Sequence, residues 1–443
     1  MFYHARMKSC AESAVKINLG PDNFLPCAYR RSGSKRRARL PFVLLAALLF
    51  ATLSAAAKPE IVLARTGLTA DDLALIVNDD DPLSVRIGDY YRKARHIPAG
   101  NVIHLRFPAG RHALAKDEFQ RLKAEIDHLT PAHVQAYAVA WTNPYRVGCM
   151  SITSALAFGF DEAYCSAMCR PTKPSPYFNS TSLYPKKDFK MRPAMLLAGN
   201  NFEQVKMLID RGVAADQSFP TGRAYLLNTP DKLRSVRSVY FEQTAKQLAG
   251  VFPVDVLTTN AIANRRDVLF YFTGLPQVPQ LETLHFLPGA LADHLTSLGG
   301  QLTDSTQMSS LRWLEAGATA SYGTVVEPCN YAQKFPFPGI AMFFYAGGAS
   351  AIEAYWKSVA WPGEGVFVGE PLARPFAPKL RELGSGQYEL KIFAPRDGQL
   401  HVENSASSTG PFSPLAQQPI HRGINVLRFA VSAKTEGFLH LQW

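Results

Sequence analysis

The residue types in this chain that could do chemistry are few and widely spaced. Of its six cysteines, Cys10 and Cys27 fall in a leader segment considered below, which leaves Cys149, Cys165, Cys169 and Cys329. An even number in an oxidising compartment reads first as disulfides, with three possible pairings. Cys165 and Cys169 are close enough in sequence to pair locally, which would leave Cys149 to meet Cys329 across the fold. A four-thiolate metal site would need two Cys-x-x-Cys pairs, which the chain lacks, so neither metal nor cofactor is expected. As a nucleophile, Cys329 or Cys149 would need a cationic neighbour to lower its pKa. The Gly-x-Ser-x-Gly pattern of a serine nucleophile is absent.

Acids and amides supply the remaining candidates. Asp79-Asp80-Asp81 follows the apolar run Leu73–Val77, where Asp79 and Asp81 could bind a divalent cation or a cationic ligand. The alternative is a solvated turn in which Asp81 caps the helix opened by Pro82. Asn143 follows the apolar run Val134–Trp141, and Asn200 follows Met195–Ala198. Asp293 and His294 together suggest a general base. They fall in a helix expected near Ala290–Leu298, however, where neighbours point about 100° apart, so packing or capping is the expected role. From Trp313 to Cys329, a helix ends at Gly317 and a strand of small residues follows over Ala318–Gly323. Glu327 and Cys329 then emerge beyond its end.

The elements that must position these residues alternate between strand and helix. Strands are expected at Leu73–Val77, Asn101–Phe107, Val134–Trp141, Met195–Ala198, Ala224–Leu227, Val254–Leu257, Val268–Phe272 and Ala318–Gly323. Amphipathic helices intervene at Ser84–Arg95, Lys116–Leu129, Phe202–Arg211, Leu233–Leu248, Met308–Glu315 and Ile340–Val359. This pattern argues for an α/β domain over 58–376 with a mainly parallel sheet, in which ligands sit outside the carboxyl ends of the strands. An irregular Cys- and Pro-rich insertion interrupts it over about 144–193. From 377 to 443, period-two runs such as Gln387–Phe393 and Gly423–Phe429 are separated by Gly, Ser, Asn and Pro turns and read as a small β-sandwich module.

Before all of this, Lys35-Arg36-Arg37-Ala-Arg39 precedes the uncharged apolar stretch Leu40–Leu53, which ends in Ser54-Ala-Ala-Ala57. That is the order of a Sec-type signal peptide cleaved after Ala57; left uncleaved, it would be the chain's one link to a membrane. A periplasmic or extracellular location follows. The formal charge of +11 over 443 residues has the size of a nucleic-acid signature, but residues 1–57 hold nine Lys/Arg against two acids. The remainder is close to balance, with no basic stripe interleaved with aromatics, so no nucleic-acid partner is expected. With 47% hydrophobic and 19% charged residues, disordered and fibrous classes are excluded.

Several segments resemble an uncharacterised family of secreted bacterial proteins: Val77–Tyr91, Arg146–Ser154, Leu291–Gly300, Ala320–Cys329 and Glu353–Ser358, within a match spanning roughly 60–376. That family brings no established activity. A more distant resemblance is to gingipain-type and caspase-like cysteine peptidases. It rests on Leu314-Glu-Ala-Gly-Ala318, the small-residue strand after it, and the turn Val368-Gly-Glu-Pro-Leu372. It implies a caspase-like αβα sandwich and a C-terminal immunoglobulin-like module. The peptidase chemistry does not carry over. The family's Gly-His-Gly corresponds to Thr273-Gly-Leu-Pro276, and its catalytic cysteine is expected near Phe286-Leu-Pro-Gly289, where no cysteine stands.

The reading that follows is an exported protein whose caspase-like domain lacks the Cys/His dyad. It would bind or process a polar ligand or peptide at the strand ends bearing Asp79, Asp81, Asn143, Asn200 and Glu327. The catalytic candidates are Cys329, Glu327, His294 and Asp293. One alternative is an active hydrolase using Cys329 or Cys149 with His285 or His294; another is a surface or adhesion protein presented by its C-terminal module.

Overall fold

A computed structural model describes residues 59–166, 169–432 and 437–443. The expected leader and its cleavage point lie outside the described residues.

The strands of the main sheet, numbered in chain order, are β1 (Leu73–Asn78), β2 (Val102–Leu105), β3 (Ala136–Val139), β4 (Ala194–Leu196) and β5 (Arg223–Leu227). They continue with β6 (Val254–Leu257), β7 (Val268–Thr273), β8 (Phe286–His294), β9 (Ala320–Thr324) and β10 (Gly365–Gly369). Their order across the sheet is β6-β5-β7-β8-β9-β10-β4-β3-β1-β2. The four strands β4, β3, β1 and β2 pair in parallel, as do β6, β5, β7, β8 and β9. β10 runs antiparallel to β9 over five residue pairs and meets β4 only where Val368 faces Leu196.

The helices are α1 (Pro82–Arg95), α2 (Lys116–Leu129), α3 (Ile152–Phe158), α4 (Pro185–Phe189), α5 (Phe202–Ala215), α6 (Phe241–Gln247), α7 (Leu311–Ala316), α8 (Pro338–Ala346) and α9 (Ala351–Ser358). Strand periodicity sorts the core. Leu73, Leu75 and Val77 of β1 pack with apolar side chains of α1, α5, α6, α8 and α9, whereas Ala74 and Ile76 face those of α2, α3 and α7. The result is a three-layer α/β sandwich around a large, mainly parallel sheet, the class the alternation implied.

One element differs in kind. The segment expected as a helix near Ala290–Leu298 is the last part of β8, a strand buried between β7 and β9. Ala and Leu favour a helix locally, but a central position in the sheet overrides a propensity worth tenths of a kcal/mol per residue. Pro288 and Gly289 are tolerated because the ladder to β7 shifts register between Val268 and Phe270. The single helix expected over Ile340–Val359 is two, α8 and α9, with Gly348 at φ +88° in the break, a conformation that favours glycine.

At the amino-terminal end of the main-sheet strands, one carboxylate gathers several elements. Glu370, in the turn that leaves β10, is fully buried. Its Oε1 accepts from Tyr91 Oη at 2.7 Å and from Arg95 Nε at 3.0 Å, and Arg95 Nη2 pairs with Oε2. Arg95 also pairs with Asp216, which follows α5 and accepts from the Arg374 amide at 2.9 Å. The approach is close enough to require glycine at 212 on α5: a Cβ there would lie 2.5 Å from Glu370 Cγ.

Residues 379–442 form two small sheets around their own apolar cluster, which includes Leu390, Leu400, Leu427 and Leu439. One sheet is antiparallel, with Gln387–Ala394 between Lys379–Gly384 and Gly423–Ala430. The other takes in a strand from the far end of the described chain: Glu60–Leu63 pairs in parallel with Phe438–Gln442, in the order Glu60–Leu63, Phe438–Gln442, Gly398–Ser405, Ser413–Ile420. Ile61 and Leu63 pack against that cluster.

Replacing Glu370 by Gln takes the buried carboxylate from Arg95 and leaves the partly exposed Asp216 as its remaining charged partner. Urea denaturation is expected to show a loss of about 3–5 kcal/mol. The isolated 377–443 fragment lacks Ile61 and Leu63 and exposes an unpaired strand edge. It is expected to give poorly dispersed amide resonances, and covalent addition of residues 59–64 is expected to restore dispersion.

Candidate functional site

The sulfurs organise the loops on the side of the main sheet where β9 ends and β10 begins. Cys149 lies in the tight turn joining Arg146–Val147 to Met150–Ser151, a short antiparallel pair. The Ser151 hydroxyl anchors that pair by donating to the Gly365 carbonyl oxygen at 2.6 Å. Cys165 closes the 3-10 turn Glu162–Tyr164 beside it, and the two are bonded with Cα atoms 5.7 Å apart. Cys169 is bonded to Cys329, Cα atoms 5.6 Å apart, with the Tyr331 hydroxyl donating to the Cys169 carbonyl oxygen at 2.7 Å. The expected pairing, Cys165 to Cys169 and Cys149 to Cys329, is therefore corrected. Nearness in sequence did not decide it. The 3-10 turn delivers Cys165 to the turn holding Cys149, as the bond from the Asp161 amide to Met150 Sδ at 3.3 Å also shows. That leaves Cys169 for Cys329.

The Cys149–Cys165 bond lies on the wall of a cavity of about 710 Å³, which Glu162, Arg170, Glu327 and Glu364 also line. Glu364 is 1% exposed and forms an ion pair at 2.7 Å with Lys334, itself fully buried. Burial pushes the carboxyl of Glu364 up and the amine of Lys334 down, each against the attraction of its partner. The other Glu364 oxygen accepts from the Ser166 amide, so neither is open to move a proton. Glu162, at the rim, pairs with Lys116. Glu327 accepts from the Cys329 amide at 2.8 Å through Oε1, and its side chain is exposed to the cavity mouth. Carboxylates so placed bind hydrogen-bond donors and cationic groups.

The other expected site residues stand elsewhere. Asp79 pairs with His104 at 2.7 Å and Arg106 at 3.6 Å. Asp80 pairs with Arg106 at 3.0 Å, and Asp81 caps α1 by accepting from the Leu83 amide at 2.9 Å. The aspartate cluster is thus a charge-paired turn and helix cap. Asn143 donates to Thr303 Oγ1 at 3.1 Å and Asn200 to Glu315 Oε1 at 2.8 Å. Thr303 lines a second cavity, of about 380 Å³, between the loops that follow β7 and β8. Of the five expected ligand contacts, Glu327 alone lines the larger cavity.

Asp293 and His294 are neighbours on a strand and point to opposite faces, which corrects their assignment to a helix. Asp293 forms a buried pair with Arg237 at 2.7 Å. Burial pushes its carboxyl up to about 6, with Arg237 pulling the other way. Arg237 also donates to the carbonyl oxygens of Pro336 at 3.0 Å and Thr273 at 2.7 Å. On the other face, His294 Nδ1 accepts from Trp313 Nε1 at 2.9 Å, and Nε2 donates to the Met308 carbonyl oxygen at 3.0 Å. Both ring nitrogens are occupied, and burial pushes the imidazole down to about 3, so the ring is neutral and structural. The carboxyl end of β8 is His294, not the Phe286–Gly289 segment where a catalytic cysteine was expected to align. Arg237 and Lys334 stand in short 3-10 turns and Glu364 just before β10, and nothing in the local sequence marks them. Among the described residues no group of three or more His, Cys, Asp or Glu is placed to hold a metal ion.

No family model and no curated protein matches the chain. Among solved structures it is similar to a protease, at 11% identity and a TM-score of 0.37, covering 82% of this chain and 98% of the other. It is also similar to the Arg-specific cysteine proteinase gingipain R, at 10% identity and a TM-score of 0.39, covering 83% and 100%. A third similar structure is the complex of the pro- and mature domains of the Porphyromonas gingivalis proteinase, at 8% identity and a TM-score of 0.39, covering 81% and 100%.

The state of His294 sets a pH dependence. Its native pKa of about 3 lies below the unfolded value of about 6.5, so its contribution is whole above pH 6.5 and is lost as pH falls toward 3. Asp293 acts oppositely, regaining stability as pH falls from about 6 toward the unfolded value of about 3.9. The difference between wild type and His294→Gln isolates the histidine. Between pH 7 and pH 5, wild type is expected to lose about 2 kcal/mol relative to the variant in paired urea titrations.

Proposed function

We propose that this is an exported protein whose gingipain-like scaffold carries no cysteine-peptidase dyad and serves to bind a polar ligand of peptide size. The ligand would enter the 710 Å³ cavity beside the two disulfides, its donor groups meeting Glu327. One observation carries this reading: all four cysteines among the described residues are in disulfides, so none can act as a thiolate. His294, with both nitrogens bonded inside the core, supplies no base to replace the lost chemistry. Export is supported by the same disulfides, which persist in oxidising compartments, and by the leader read from residues 1–57. Among the described residues no helix is long and apolar enough to cross a membrane.

The test has two arms. Non-reduced protein treated with iodoacetamide is expected to yield unmodified Cys149, Cys165, Cys169 and Cys329 on peptide mapping, and no turnover of a mixed fluorogenic peptide library. The same library, screened by saturation-transfer NMR, is expected to yield binders that Glu327→Lys weakens by tenfold or more. Rapid stoichiometric labelling of Cys329 or Cys149, with peptide hydrolysis, would return the protein to cysteine-peptidase chemistry. Binders indifferent to Glu327→Lys would remove the ligand from this cavity.

A further inference from the structure

The segment Glu353-Ala-Tyr-Trp-Lys-Ser358 forms most of α9 and takes no part in the cavity at the disulfides. Its lysine is buried, with 1% of Lys357 exposed. Nζ donates to the Ser182 carbonyl oxygen at 2.9 Å and lies 5.0 Å from the ring centroid of Tyr177 and 4.6 Å from that of Phe344. Among the described residues no carboxylate comes within 4.0 Å of it. The nearest acid on its own helix, Glu353, already accepts through Oε2 from the Leu68 amide, the Ser350 amide and the Ser350 hydroxyl. Two aromatic faces and one carbonyl oxygen leave an ammonium group short of a counter-ion in a dry setting. Burial pushes its pKa down, against the attraction of Glu353.

A cavity of about 190 Å³ is lined in part by Lys357, at the seam between the helical layer and the C-terminal sheets. Lys357 and Phe344 line it together with Leu183, Phe393 and Trp443, so one cation faces walls that are otherwise mainly apolar. Thr66, also on the wall, accepts from Arg374 Nη2 at 2.7 Å, which brings a second cation close to the same space. Such a space favours an anion with an apolar body over a neutral or cationic molecule.

We infer that this cavity is a binding site for a small aromatic monocarboxylate, whose carboxylate pairs with Lys357 while its ring packs against Phe344, Phe393 and Trp443. The site is separate from the cavity proposed above and does not depend on that reading. The test is a fluorine-NMR titration of the full-length protein with 4-fluorobenzoate, using 4-fluorobenzyl alcohol as the uncharged control. Saturable binding of the acid is expected, with the alcohol at least tenfold weaker. Lys357→Met removes an unpaired buried charge and keeps an apolar stem, so it is expected to fold and to weaken the acid at least tenfold. Leu183→Trp, which fills the cavity and leaves the lysine in place, is expected to abolish binding. No saturable binding to wild type would overturn the inference, as would equal affinity for acid and alcohol, or acid binding unchanged by Leu183→Trp.

Discussion

The buried contact between Arg95 and Glu370 is the constraint on which the rest of the fold depends. Arg95 ends α1, which covers the four-strand part of the sheet, while Glu370 leaves β10, the antiparallel partner of β9 in the other part. Between those parts the backbone ladder is only the meeting of Val368 and Leu196. Side chains must therefore hold the two in register, and a guanidinium with two carboxylates does so with directional bonds that a greasy contact would lack. Removing Glu370 leaves the buried guanidinium with the partly exposed Asp216 alone, and removing Arg95 leaves the Glu370 carboxylate without its cation in the core. The far end of the sheet inherits the alignment. There the loop after β3 meets the loop after β8 through Asn143 with Thr303 and Tyr145 with Asp304.

Much of this architecture was legible because most main-sheet strands are short, continuous apolar runs bounded by polar turns. Lys116–Leu129 and Val254–Leu257 fall on the residues expected. The failure at β8 is instructive, since Ala290-Leu-Ala-Asp-His294 is a respectable helical sequence. Its strand state is set by neighbours that lie some twenty residues before it and some thirty after it. Glu60–Leu63 was passed over for a similar reason. Four residues have no periodicity to read, and the partner strand is at the opposite end of the chain.

Site residues were less legible than strands because sequence reports residue type and not the companion a side chain finds. The three aspartates after β1 looked like a ligand cluster until His104 and Arg106, from the end of β2 and just beyond, took up their charge. Asp293 and His294, which diverge by about 100° on a helix, diverge further on a strand, and each has a buried partner on its own face. Arg237 and Glu364 offer the converse case. Nothing in their local sequence marks them, yet each fills a polar vacancy that the packing of distant loops creates.

The disulfides explain why an irregular insertion can shape a cavity at all. The first part of the insertion is held by the buried apolar residues of α3, but between α3 and α4 there is little regular structure, and backbone entropy there favours many shapes over one. In the chain-entropy view, closing separations of 16 and 160 residues removes about 3 and about 5 kcal/mol of that freedom. The second bond does more than close a long loop, because it fastens the insertion to the residues that follow β9, where Glu327 stands. The buried Lys334 and Glu364 pair extends the same join inward, through the bond from the Ser166 amide to the Glu364 carboxylate. Sulfurs committed to a wall cannot also serve as nucleophiles, since a disulfide has no thiolate to offer. Two of the four bonded cysteines, Cys149 and Cys165, stand on the cavity wall itself, and of the carboxylates beside them Glu364 is already committed to Lys334 and the Ser166 amide, while Glu327 is exposed at the mouth.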